Sequence, residues 1–175
     1  SEVLILDTNA IMYSPEGAGE AAHYVGGGGP ITAYLEVDAG RYLAFSSIGT
    51  GDAQQAVAII LYVVNDRLEP GTMQLIPNMS EVTHAVANTK SRQIYAIGHK
   101  NVGNVDVPRS STSFDSGFNW ATVEMPTSSR LVGLATLIED DDASQPAGAC
   151  ALSEKGDLYC GVSSLPSTTT STLGT

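Results

Sequence analysis

The chain has 175 residues, 42% hydrophobic and only 15% charged, which is enough length for one well-filled core and too apolar for a disordered segment over most of it. Nineteen acidic residues against eight basic ones give a formal charge of −11, so the surface repels phosphate backbones and nucleic-acid binding is disfavoured. The longest strongly apolar run, Ala56 to Val64, is nine residues, about half of a membrane-spanning helix, and no transmembrane segment is expected.

Ser1-Glu2-Val3 shows neither a basic region nor a long apolar stretch with a cleavage site. No secretory signal is therefore read there; a signal already removed and a trimmed initiator Met both fit a leading Ser. Helical periodicity is nearly absent from the chain, whereas period-2 alternation and short apolar runs bounded by Gly, Pro, Asn and Asp recur. Val3 to Leu6 and Ala10 to Tyr13 flank the polar connection Asp7-Thr8-Asn9 and predict a hairpin. Gly26-Gly27-Gly28-Gly29-Pro30 suits no regular element and marks the start of the main domain. It lacks the Lys-Ser/Thr pair and the helix of a phosphate-binding loop.

Ile31, Ala33, Leu35 and Val37 alternate with polar residues, and Ala39-Gly40 turns the chain into Tyr42 to Ile48. Ala56 to Val64 is apolar on both faces and rich in β-branched residues, which predicts a central strand covered on both sides. Turns are expected at Asn65-Asp66 and Glu69-Pro70-Gly71. Strands are expected at Met73 to Ile76, Val82 to Ala87, Gln93 to Gly98, Trp120 to Met125 and Leu131 to Ile138, with a polar contact loop over Asp106 to Gly117. In the last segment, Ala149 to Ser153 and Asp157 to Gly161 are joined by Glu154-Lys155-Gly156, where Gly156 suits the left-handed position of a three-residue loop. That register sets Cys150 opposite Cys160, a candidate disulfide whose formation depends on the redox compartment.

Eight or more strands in about 110 residues point to an all-β fold, an antiparallel β-sandwich of jelly-roll type with small N- and C-terminal hairpin extensions. The expected division is an N-terminal hairpin and Gly-rich arm over 1–29, a sandwich core over 30–142, and a C-terminal hairpin with a Ser/Thr-rich tail over 143–175. The tail is expected to be disordered alone and to order against a neighbour.

Three resemblances bear on function. The stretch from Ile31 to Ile138, through Val37-Asp38-Ala39-Gly40-Arg41-Tyr42-Leu43, Ile59 to Leu68 and Arg130-Leu131-Val132-Gly133-Leu134, resembles jelly-roll modules of phage and viral virion proteins, and more loosely tumour-necrosis-factor-like and C1q-like domains. This implies a capsid decoration, fibre or tail component that forms homo-oligomers, often trimers, and contacts other virion proteins such as the major capsid protein. It places the chain in a virion assembled in the host cytoplasm, with an extracellular location as the alternative. Val82 to Val86 with Ile94 to Gly98, and Ala149 to Leu152 with Gly156 to Gly161, look like blades of chromosome-condensation-regulator-type propellers. Their spacing of about 65 residues exceeds a usual blade, and a whole propeller needs roughly twice this length. Val3-Leu4-Ile5-Leu6-Asp7-Thr8-Asn9-Ala10-Ile11 is similar to the opening strand of PIN-type nucleases, which implies a carboxylate cluster holding a divalent metal; Glu36, Asp106 and Asp115 are the companions that Asp7 would need. That family is helix-rich, and no helical stripe follows Asn9, so a polar hairpin turn competes with it.

No catalytic, metal or cofactor site is expected. His23, His84 and His99 lie far apart, and His84 alternates with Val82 and Val86 as a core- or groove-facing imidazole would. Two cysteines fall short of a zinc site. Glu139-Asp140-Asp141-Asp142 has no calcium-loop spacing and reads as a solvated run. No serine lies in a Gly-x-Ser-x-Gly turn. The candidate contact surface is Phe114, Phe118 and Trp120, aromatics among Ser, Asp, Gly and Asn that suit an intersubunit or carbohydrate contact; Trp120 equally suits the start of a core strand. The reading is thus a non-enzymatic virion structural protein, with a carbohydrate- or receptor-binding module as the alternative and a metal-dependent nuclease third.

Overall fold

The computed structural model describes residues 2–7, 10–14, 23–26, 29–65, 67–88, 92–137, 148–161, 165 and 169–172. Among the described residues the regular elements are strands apart from a single 3-10 turn, Gly51–Ala53, and no helix there is long and apolar enough to cross a membrane. Four antiparallel sheets follow one another in the sequence. The first holds β1 (Glu2–Asp7), β2 (Ala10–Ser14) and β3 (His23–Gly26). The second holds β4 (Ala33–Asp38), β5 (Arg41–Ile48), β6 (Gln55–Val64) and β7 (Arg67–Leu75). The third holds β8 (Glu81–Asn88), β9 (Gln93–Val102), β10 (Val105–Ser113) and β11 (Ala121–Glu124). The fourth holds β12 (Leu131–Thr136), β13 (Ala149–Ser153), β14 (Asp157–Gly161) and β15 (Thr169–Thr172).

Every described strand pairs only with its sequence neighbours. A jelly roll requires Greek-key crossings, in which a strand returns beside a non-consecutive partner. The antiparallel all-β class therefore holds, but the described sheets are meanders and contain no such crossing. Sheets pack face to face as in a sandwich, yet the second and third are covered on both faces. On β5, Leu43 and Phe45 join the core against the third sheet, while Tyr42 and Ala44 join a cluster on the opposite face with Leu61 and Leu68. On β9, Ile94 and Ala96 face the second sheet, while Tyr95 and Ile97 pack with Leu131, Ala149, Ala151 and Tyr159 of the fourth. Strands buried on both sides lose polar alternation, which is why Ala56 to Val64 reads as one apolar run. The first strands sit together: β8 packs against both β4 and β12.

Local chemistry explains the turns. Val102 pairs with Val105 across Gly103-Asn104, both at positive φ (56° and 66°), the two-residue reversal whose twist matches flanking strands. In the expected C-terminal hairpin Gly156 has φ 85°, its amide donates to the Ser153 carbonyl at 3.0 Å, and Cys150 lies opposite Cys160. The two sulfurs are bonded.

Several expected boundaries move. The polar loop expected over Asp106 to Gly117 is strand as far as Ser113, because β10 carries small hydroxyl residues whose backbone pairs with β9 and β11. Glu69-Pro70-Gly71, expected as a turn, lies within β7; Pro70 stands opposite Leu61 beside a bulge, a ladder position that tolerates the missing N–H. The C-terminal hairpin is not an appendage: β13 pairs with β12, so the division expected at 142 falls inside one sheet. Part of the Ser/Thr tail forms β15 against β14. His84 is exposed rather than core-facing, because a bulge between Val82 and His84 reverses the alternation after the buried Val82. The acidic run Glu139 to Asp142 and the glycines Gly27 and Gly28 lie outside the described residues.

Candidate functional site

The turn ends of the second and third sheets meet at an open cleft of about 500 Å³. One wall is the β4–β5 turn, Asp38-Ala39-Gly40-Arg41, with Tyr62, Val63 and Val64 at the end of β6. The other wall brings Arg92, just before β9, and Ser116 from the loop after β10. The Ser116 amide donates to the Arg92 carbonyl at 3.2 Å, tying these two turns together. Arg92 and Ser116 have φ 59° and 64°, left-handed backbone that non-glycine residues adopt at a cost and that concentrates at functional sites.

The 114–120 loop supplies the aromatic rim. The Asp115 carboxylate accepts hydrogen bonds from the Asn119 amide (2.8 Å), the Asn119 side chain (2.6 Å) and the Ser113 hydroxyl (2.9 Å), while Ser113 Oγ accepts from the Gly117 amide (2.8 Å). So held, the loop sets Phe118 under the Arg41 guanidinium, 5.9 Å from ring centroid to charge. Of the expected contact residues, Phe114 and Phe118 are exposed, at 50% and 39%. Trp120 instead turns inward: its ring packs edge-on against Phe45 and its Nε1 donates to the Gly117 carbonyl at 2.9 Å. The core placement that the sequence also allowed for Trp120 is the one observed.

Arg41 and Arg92 carry the unusual electrostatics. Among the described residues the ion pairs are His99–Asp106 (3.6 Å) and Arg109–Glu124 (2.8 Å), and neither cleft arginine forms an ion pair with a described carboxylate. With two guanidinium groups and one carboxylate, Asp38, the cleft lining carries an excess of positive charge in a chain of charge −11. Sequence reading did not single out Arg41, Tyr62 or Arg92, because Arg92 belongs to a different sheet from the other two.

Asp115 gives the loop a pH dependence. Burial alone would raise its pKa, but the side-chain and backbone hydrogen bonds of Asn119, with those from Ser113 and the Phe118 backbone, outweigh burial and hold it below the ordinary value of 3.8. The carboxyl thus ionises at lower pH folded than unfolded. Its contribution to stability is fully present above the unfolded value and is lost as pH falls through the folded one. Urea midpoints measured from neutral pH down to about pH 2.5 should fall more steeply below about pH 4 in the parent than in Asp115→Asn. Parallel curves for the two proteins would contradict this account of the loop.

At the other end of β8 and β9 lies a second cleft of about 340 Å³, lined by Glu81, Thr83, His99, Asp106, Ser128 and Arg130. Its charges are mixed, and the His99 imidazole faces the largely exposed Asp106. The described members of the nuclease-like carboxylate set form no metal-holding group. Glu36 lies on β4, Asp106 on β10 and Asp115 in the following loop; the side chain of Asp7 lies outside the described residues. Among the described residues no three His, Cys, Asp or Glu side chains could hold a metal together, and β1 leads into a hairpin rather than a helix. The side chain of His23 also lies outside the described residues. No protein family matches the chain, and no curated protein matches it.

Proposed function

We propose that this chain is a non-enzymatic carbohydrate-recognition module, in which stacked four-stranded meanders serve as blade-like supports and the turn end of the second and third sheets binds the ligand. The observation that carries the reading is the cleft between Arg41, Tyr62, Arg92 and Ser116, rimmed by the exposed ring of Phe118. Aromatic faces accept the C–H faces of sugar rings, and hydroxyl, carboxylate and guanidinium groups hydrogen-bond their hydroxyls. The blade-like arrangement is supported by the packing of β8 between β4 and β12, which is how successive propeller blades set their first strands around an axis.

Binding to an immobilised panel of neutral and acidic glycans tests the reading. The parent should bind at least one class, and Tyr62→Ala and Phe118→Ala should each weaken that binding by about tenfold, since each removes an aromatic contact worth roughly 1–2 kcal/mol. No binding anywhere on the panel would refute it.

A second reading keeps the structural role expected from the sequence, a capsid decoration or fibre component acting as a homo-oligomer. It is supported by Val132 on β12 and Leu137 just beyond its end, exposed at 39% and 41%, apolar side chains that an assembled neighbour would cover. The bonded Cys150–Cys160 pair suits a particle exterior or another oxidising setting. Light scattering separates the two: the structural reading requires a defined oligomer, and a stable monomer counts against it.

A further inference from the structure

We infer that the ligand of the Arg41/Arg92 cleft is a carboxylate-bearing saccharide, of the sialic or uronic acid class. This inference rests on the carbohydrate reading above and gives it a chemistry. Two guanidinium groups that form no ion pair among the described residues line one cleft with a single carboxylate, Asp38, in a protein whose charge is otherwise predominantly acidic. Unpaired arginines beside an open cleft are matched by a planar anion, to which a guanidinium presents parallel donors. Arg41 lies over the Phe118 ring at 5.9 Å, within cation–π reach, and this contact favours the orientation it holds before a ligand arrives.

The remaining lining groups fit a sugar better than an acidic peptide. Ser116 and Tyr62 offer hydroxyls, and Asp38 offers acceptors to sugar hydroxyls, beside the apolar Val63 and Val64. The cleft is built from strand ends and turns: β5 and β6 are each paired on both sides, and of the edge strand β4 only its last residue, Asp38, lines it. A peptide therefore finds no run of backbone groups within the cleft to extend. The size is right for one or two sugar rings, at the lower end of small-ligand sites. A net acidic chain also disfavours acidic ligands over much of its surface, which favours their capture where basic groups gather.

The test is calorimetric titration of the full chain with 3′-sialyllactose and with lactose, which differ by one carboxylated sugar. The inference expects sialyllactose to bind at least about tenfold more tightly than lactose, with the difference shrinking as salt is raised. Arg41→Gln and Arg92→Gln should each reduce sialyllactose affinity by about tenfold or more, and Arg92→Lys should retain part of it. Thermal melts confirm that the variants are folded; were either glutamine variant to unfold, the parent's preference between the two sugars still decides the matter. Equal binding of both sugars, unaffected by the arginine variants, overturns the acidic-ligand inference and leaves the carbohydrate reading standing. No binding of either sugar overturns this inference, and only a glycan panel that is also blank brings down the carbohydrate reading with it.

Discussion

Gly98→Ala should unfold the protein or destabilise it by on the order of 3 kcal/mol or more, since an added Cβ there meets the shortest contact found for the described glycines. A Cβ at position 98 would lie 1.8 Å from the Glu81 carbonyl oxygen and 3.0 Å from the Val82 Cα, and both obstacles are backbone. The approach lies where Val82 pairs with Gly98, beside the bulge of β8 between Val82 and His84. Relief requires separating β8 from β9 at the point where β8 also packs against β4 and β12, so the strain spreads into two interfaces. Gly133→Ala is the control. Its added methyl would meet only the Leu152 Cβ at 3.6 Å, an ordinary contact, and the change should shift stability by less than about 1 kcal/mol. Urea denaturation of the two variants beside the parent decides it; a Gly98→Ala protein with the parent's midpoint would contradict the strand approach described.

Phe45→Ala should cost about 3–5 kcal/mol, visible as a large fall in the urea midpoint. Phe45 is fully buried between the second and third sheets with Leu43, Ile60, Ile76, Val82 and Ile94. Its ring meets the ring of Trp120 edge-on, with centroids 5.8 Å apart and planes at 76°, an orientation that adds to simple burial. Trp120 is the chain's one tryptophan, so its fluorescence reports the same event without denaturant. The folded variant should show a red-shifted emission as water reaches the indole. Unchanged emission with a lowered midpoint would mean that Trp120 does not depend on Phe45 for its place. A secondary effect should appear at the binding cleft, since Trp120 Nε1 anchors the loop at Gly117 that sets Phe118 under Arg41.

Strand content was legible because its signals are local. The alternation from Ile31 to Val37, the apolar run from Ala56 to Val64 and the Gly156 turn each report a backbone preference that neighbours alone impose. The Cys150–Cys160 register followed from counting outward from that turn. The readings that failed share another cause. Val105 to Ser113 is polar in composition, and its strand character comes from pairing with β9 and β11 rather than from its own side chains. The bulge at Val82/His84 reversed the facing of His84, since one extra residue moves every later side chain to the other face. Trp120 satisfied a surface and a core reading equally until Phe45 lay beside it.

The sequence by itself determined the class of the protein: short β-branched and apolar runs between turn residues make antiparallel strands. Which strands share a sheet was decided only in three dimensions. An apolar strand carries no label for its partner, and a meander and a Greek key draw on the same alternation. The candidate site belongs wholly to that second level. Arg41 and Arg92 stand 51 positions apart on different sheets, and they acquire a common field only because the two sheets pack with their turn ends side by side.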